Sequence, residues 1–419
     1  MQKNSSASPK LQLYPYQQKT VDALIGGKHI AILGTGFGKS PIAMRWLYES
    51  MSVNKIKKVL VVTTASKSKS GDFEHEADVW NGEDWRAGLD EFTVISWHRF
   101  KKWTDENSKK LGEYMYVLDE VAKAKGYMSG MGIAARRVWA RTKNWTGYTA
   151  TPGDRWIDLM PYFVAVGLVH NKTSFMREYC VVQNYKGYPE ITHYLNEDKL
   201  EKMWRYAAYI PDTAQAAKEL PPEIHKVHKF KAPSYYKKAI KTRVKEDGTL
   251  IETTMGLMHY LRQLCFTKDK QEWLKDFIEN LGDNCVFFCN YIEEEEGICE
   301  IANKVLPKGA RIWRIDGKHH EIPTADTIGK YDIVVAHYAS GGEALNLQFM
   351  HYWCSVSPNY SFSTSIQARG RIKRIGQKHT MFFLYLQAEN TVEDDIYKCL
   401  KLKSDFSEKA WKAKLDENT

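Results

Sequence analysis

The chain has 419 residues, a formal net charge of +9, and a composition that is 43% hydrophobic and 26% charged. That is ordinary for a globular chain of about two or three domains, each able to bury its own core, and the positive balance leans toward a polyanionic partner. No apolar run approaches the roughly 20 residues needed to cross a bilayer.

The opening Met1–Lys10 is polar and lacks the apolar centre of a secretion signal, so a short disordered lead and a cytosolic location are expected. From Leu11 to Tyr209 apolar strands alternate with amphipathic or polar stretches. His29–Leu33, Val59–Thr63, Tyr114–Leu118 and Trp145–Thr149 are the strand candidates. This alternation predicts an α/β fold with a doubly wound, mostly parallel sheet. Pro211 and Leu220-Pro-Pro222 then forbid helix continuation and mark a boundary.

Beyond it, Ile224–Lys231 alternates like a strand with one wet face, and Ser234–Val244 reads as a lysine-rich helix. The acidic run Glu293–Glu296 reads as the exposed start of a helix. Cys285–Cys289, Arg311–Ile315, Asp332–Ala336, His351–Val356 and Met381–Leu386 repeat the strand pattern of the first block. The expected division is a lead over 1–10, a first domain over 11–215, a second over 216–400 and a charged helix or tail over 401–419.

The seven cysteines, Cys180, Cys265, Cys285, Cys289, Cys299, Cys354 and Cys399, form no Cys-x-x-Cys pair. Reduced, buried thiols and no structural zinc are expected. Trp97, Trp145 and Trp313 sit in apolar, strand-like contexts and are read as core aromatics; His319 and His320 are read as loop residues.

Three segments carry chemistry. Gly34-Thr-Gly-Phe-Gly-Lys-Ser40 follows an apolar strand and precedes Pro41, which a helix tolerates in its first turn. Gly34, Thr35, Gly36 and Gly38 would let backbone N–H groups approach phosphate, with Lys39 for the β and γ phosphates and the Ser40 hydroxyl for Mg²⁺. Leu33 stands where the full pattern wants glycine. Tyr116-Val-Leu-Asp-Glu120 ends a strand on two acids, Asp119 suited to hold Mg²⁺ and Glu120 to polarise an attacking water. Gln367–Gln377 sets Arg369, Arg371 and Arg374 around Gly370, a cluster suited to meet phosphate.

With Leu13-Tyr-Pro-Tyr-Gln17 before the loop, and Asp119-Glu-Val-Ala122 and Thr149-Ala-Thr-Pro152 after it, the order resembles a helicase superfamily 2 ATPase. Leu220-Pro-Pro-Glu223, Leu261-Arg-Gln-Leu-Cys265, Ser340–Leu347, Gln367–Gln377 and Thr391–Ile396 look like the SWI/SNF-type, chromatin-remodeller-like branch of DNA translocases, over roughly residues 11 to 400. The resemblance implies two tandem RecA-like domains with the nucleotide site in the cleft between them, and ATP and Mg²⁺ as cofactors. It gives Gln17 to adenine, Lys39 and Ser40 to phosphate and metal, Asp119 and Glu120 to metal and water, and Thr149 and Thr151 to coupling. It assigns Gln367, Arg371 and Arg374 to the γ-phosphate. It assigns Thr64, Lys67, Lys69, Ser96, Asn290, Ser340 and Gly341 to the nucleic-acid backbone. The chain departs from the family at Leu33, at Val121-Ala-Lys123, at Ala344, at Ser357-Pro-Asn359 and in its short inserts.

The function that follows as an expectation is an ATP-driven motor on duplex DNA that remodels DNA or DNA–protein complexes in replication, recombination or repair, with a protein partner from those processes and no membrane. A strand-separating or branch-migrating helicase stays open as a rival. So does a nucleotide-gated DNA-binding or loading module with little turnover. The economy of domains fits a bacterial or phage protein.

Overall fold

Eight strands come from the first unit, which ends at Gln215 in the computed structural model. They are β1 Ile30–Ile32, β2 Lys58–Thr63, β3 Glu91–Ser96, β4 Tyr114–Asp119, β5 Trp145–Thr149, β6 Cys180–Tyr185, β7 Tyr188–Tyr194 and β8 Ala208–Tyr209. The structure describes residues 11–153, 155–185, 188–319, 321–341, 345–402 and 406. Six of these strands form one sheet in the order β3-β2-β4-β5-β1-β8, and every pair in it is parallel.

The residues explain the arrangement. Val59, Leu60, Val61 and Val62 on β2 and Tyr116, Val117 and Leu118 on β4 are fully buried, as expected of central parallel strands covered on both faces. Register places Asp119 beside Tyr148 and Ile32 beside Thr149, so the carboxyl ends of β1, β4 and β5 lie together. Loops at that edge are where ligands sit in open α/β sheets. Trp97 and Trp145 are core residues, as read from sequence.

Sequence reasoning did not name β3, β8 or the antiparallel β6/β7 hairpin, which carries a bulge at Val181/Val182. β3 is an edge strand whose first four residues are only partly buried, and β8 has just two residues, so neither shows a clean apolar run.

The second unit begins at Ala216. Its strands are β9 Glu223–Phe230, β10 Cys285–Cys289, β11 Ile312–Ile315, β12 Ile333–His337, β13 Tyr352–Ser355 and β14 Met381–Ala388. The order is β11-β12-β10-β13-β14-β9, again all parallel. β9 is the wet-faced strand read from the alternation, and it lies at the sheet edge with Ile224 and Val227 exposed. Trp313 is buried in the core of this unit. Cys180, Cys265, Cys285, Cys289, Cys299 and Cys354 are buried free thiols, and burial pushes Cys285 and Cys289 well above the ordinary thiol range.

Several expectations change. The lysine-rich helix is shorter than read, Tyr236–Thr242, because Arg243 turns left-handed at φ 53°. The acidic run does start a helix, Ile292–Val305, but Glu294 and Glu295 are buried at 2% and 1% exposure rather than solvated. Glu294 Oε2 accepts from the Asn290 and Tyr291 amides and the Ser357 hydroxyl, so the acid ties a loop to its helix. The lead over 1–10, most of the charged tail, Gly342, Ala344 and His320 lie outside the described residues. No helix among the described residues is long and apolar enough to cross a membrane.

One buried ion pair organises the second unit. Lys270 Nζ, on helix Lys268–Leu281, lies 3.2 Å from both carboxylate oxygens of Glu393 and 3.0 Å from the Val356 carbonyl. Side-chain exposures are 1% and 0%.

Candidate functional site

The loop after β1 turns on glycines. Gly36 and Gly38 have φ of 88° and 74°, a region that costs an L side chain about 1–2 kcal/mol. Gly38 caps helix Lys39–Asn54, whose buried Ile42, Ala43, Trp46 and Leu47 anchor it to the sheet. The helix therefore presents unpaired first-turn N–H groups and its positive dipole end at the loop. Leu33, the departure from the usual pattern, is 1% exposed and donates its amide to the Thr149 carbonyl at 3.0 Å. It extends the strand into the core, and the glycines of the loop follow it.

Gln17 is 2% exposed and reaches the same loop: its Oε1 accepts from the Tyr14 amide at 3.0 Å and its Nε2 donates to the Phe37 carbonyl at 3.4 Å. Tyr16, which sequence reasoning passed over, donates its hydroxyl to that carbonyl at 2.9 Å. A Cβ at Gly38 would collide with Gln17 Nε2. Gly38→Ala should therefore lower stability by about 1–2 kcal/mol and displace Gln17. A thermal melt alongside nucleotide titration checks this; an unchanged melt with unchanged affinity would show the loop to be more forgiving than its geometry.

The two acids sit at the carboxyl end of β4, each paired with a lysine. Lys39 Nζ is 2.7 Å from Glu120 Oε1, and Lys67 Nζ is 3.0 Å from Asp119 Oδ2. Thr149 donates to Glu120 Oε2 at 3.2 Å, and its Oγ1 accepts from the Thr151 amide at 3.2 Å. Thr63 donates to Asp119 Oδ2 at 2.7 Å, and Trp97 Nε1 holds the Asp119 carbonyl at 2.7 Å. Burial disfavours the charged form of Asp119, but Lys67, Lys39 and the Thr63 hydrogen bond outweigh it and hold the carboxyl below its ordinary value. Glu120 has φ of 52°, left-handed for a non-glycine residue. Such strain costs about 1–3 kcal/mol and clusters at functional sites.

These contacts bring Gln17, Gly38, Lys39, Asp119, Glu120, Thr149 and Thr151 together in one unit. Lys67, expected to contact the nucleic-acid backbone, pairs with Asp119 here, and Lys69 is exposed on the short helix Lys67–Ser70. Thr64 is buried and shares a 3.2 Å hydrogen bond with Ser66; Ser96 caps helix Trp97–Glu106 beside Thr63.

The residues suit Mg²⁺ and a nucleotide. Gly36 and Gly38 leave room for close approach to the backbone, the Thr35 hydroxyl is buried with no hydrogen-bond partner, and Ser40 and Asp119 supply hard oxygen donors.

In the second unit, Gln367 lies on helix Phe362–Arg369. Arg371 and Arg374 converge: the Nη1 of each lies 3.2 Å from the Leu345 carbonyl, and Arg374 also reaches Asn346 Oδ1 at 2.8 Å. Arg371 is only 6% exposed. Arg369 points elsewhere, 3.5 Å from the Tyr385 hydroxyl. Gln377 staples its own loop, donating to the Met350 and Ile372 carbonyls and accepting from the Lys378 and His379 amides.

Asn290 is engaged within the unit: its Nδ2 donates to Ser357 Oγ at 2.8 Å and the Pro358 carbonyl at 3.1 Å, and its Oδ1 accepts from Asn359. Ser340 and Gly341 lie on the short helix Tyr338–Gly341 after β12. His319 is a loop residue, as read from sequence, but it has an acidic partner. Its Nδ1 is 2.7 Å from Asp316 Oδ2, in a network where Arg314 and His337 approach Glu295 at 2.7 and 2.8 Å. Burial raises Glu295; it would raise Asp316 as well, but hydrogen bonds from His319 and the Lys318 amide hold that carboxyl well below its usual range.

Fold and site together define a two-unit α/β protein, each unit built on a six-stranded parallel sheet, the first carrying a glycine-turned loop beside paired acids. No family model matches the chain, and no curated protein matches it. Among solved structures it is similar to the Sulfolobus solfataricus SWI2/SNF2 ATPase core in complex with dsDNA. That likeness has 16% identity and a TM-score of 0.45, over 96% of this chain and 93% of the other.

Proposed function

We propose that this protein is a DNA-dependent ATPase that moves on duplex DNA. The observation that carries the reading is the pair of acids at the carboxyl end of a parallel sheet, Glu120 hydrogen-bonded to Lys39 and Thr149 and its neighbour Asp119 to Thr63 and Lys67. Lys39 and the loop amides would hold the phosphates, Ser40 and Asp119 the metal, and Gln17 the adenine. Bound Mg²⁺ supplies charge neutralisation at the phosphates. Glu120 would take the proton of the attacking water, and Thr149 fixes the orientation of that carboxylate. Gln367, Arg371 and Arg374 are proposed to respond to the γ-phosphate, and Lys69, Ser340 and Gly341 to contact the DNA backbone.

ATP turnover measured with no DNA, single-stranded, duplex and forked DNA tests the reading. Duplex should raise kcat by about tenfold or more, and the effect should fade as salt rises, since phosphate contacts release counterions. Turnover indifferent to every DNA would remove DNA from the proposal. Strand separation on a labelled fork without triplex displacement would favour the helicase rival.

A further inference from the structure

A cavity of about 440 Å³ lies at the amino-terminal end of β5, lined by Arg136, Trp139, Arg141, Thr142, Lys143 and Ala165 among others. It sits at the end of that strand opposite Thr149, roughly 15 Å away at the ordinary rise of a strand. Its lining includes three cations and no acid. Among the described residues none of the three makes an ion pair. Arg136 stacks on the Tyr127 ring at 3.9 Å, Lys143 Nζ reaches only the Ala165 carbonyl at 3.4 Å, and Arg141 is exposed.

Two of the lining residues also carry a buried donor without an acceptor. Trp139 is 4% exposed, and its Nε1, like Arg136 Nε, is buried without a hydrogen-bond partner. The carboxyl ends of helices Gly130–Trp139 and Trp156–Ala165 oppose an anion here. Each contributes about half a negative charge, which leaves the three cations in surplus by about two.

We propose that this cavity binds a small phosphate-bearing ligand, with Arg136, Arg141 and Lys143 as the cations that meet the phosphate. A concave site of this volume falls in the range of about 300–1,000 Å³ typical of small-molecule pockets, larger than a bare phosphate fills. A DNA backbone would call for an open track of cations instead. The inference is independent of the proposed ATPase site.

Calorimetric titration of the full chain carrying Lys39→Ala, which disables phosphate binding at the loop, tests it with inorganic phosphate, AMP and duplex DNA as separate probes. One-site binding of AMP or phosphate is expected, weakened about tenfold or more when Arg141→Gln and Lys143→Gln are added. AMP binding more tightly than phosphate would identify an organic phosphoester as the ligand; equal affinity would identify free phosphate. No heat from either small probe, equal affinity with and without the two substitutions, or loss confined to duplex DNA would each overturn the proposal. Both positions are exposed, so the thermal melt should not move; Lys143→Gln alone provides the comparison if it does.

Discussion

Glu120→Gln is expected to cut ATP turnover by about a hundred- to ten-thousand-fold while leaving nucleotide affinity within about threefold. Glutamine keeps the size of the side chain and an oxygen for the Thr149 hydroxyl, which lies 3.2 Å from Glu120 Oε2. What it lacks is the basicity to take a proton. The backbone at this position is left-handed, φ 52°, so the fold holds the carboxylate in a conformation it would not choose freely. Lys39→Ala should behave differently, weakening nucleotide binding as well as turnover, because its ammonium is the cation on the loop helix nearest the acids, 2.7 Å from Glu120. Steady-state kinetics paired with equilibrium nucleotide binding separates the two. Turnover in Glu120→Gln within tenfold of the parent would dismiss Glu120 as the base.

The candidate site was visible in the sequence as separate short segments, each a local run whose residue types suggest one kind of chemistry. Glycines at 34, 36 and 38 before Lys39-Ser40, and acids at the end of a β-rich run, are local patterns that raise the expectation of phosphate and metal chemistry without any tertiary information. Central strands were legible for a like reason, since β10 is a short apolar run buried throughout and β2 is apolar and buried from Val59 to Val62. What could not be read was pairing across the fold. Nothing near Lys67 shows that its ammonium turns onto Asp119, or that Glu295 meets Arg314 and His337. The Glu293–Glu296 run looked solvated because local composition carries no sign of the helix face that packs inward. Edge strands were missed where burial is one-sided or the strand is too short to show a period, as at β3 and β8.

The same blindness to long-range pairing hid Lys270 and Glu393, where the largest stability effect is expected. Lys270→Met should destabilise the second unit by about 3–5 kcal/mol, because removing one member of a buried pair strands the other as an uncompensated charge. Glu393 would keep the Ala388 amide, 2.7 Å from its Oε2, but lose its only buried cationic partner among the described residues. Adding Glu393→Gln should recover most of the loss, since glutamine still accepts from Ala388 and carries no charge.

The pH dependence separates a stranded charge from lost packing. Burial already raises the Glu393 carboxyl above its ordinary 4.5, with Lys270 pulling it back, so the single variant must raise it further. A carboxyl whose folded value exceeds its unfolded one leaves the folded state holding more protons in between, and stability then falls as pH rises. Lys270→Met should therefore lie nearest the parent at acid pH. It should lose up to about 1.4 kcal/mol per pH unit between the ordinary carboxyl value and the raised one. Urea unfolding read through hydrogen exchange of the β10 amides, from pH 5 to pH 8, measures this in the second unit. A deficit that stays constant across that range would mean that removing Lys270 leaves the titration of Glu393 unchanged and that the cost is packing.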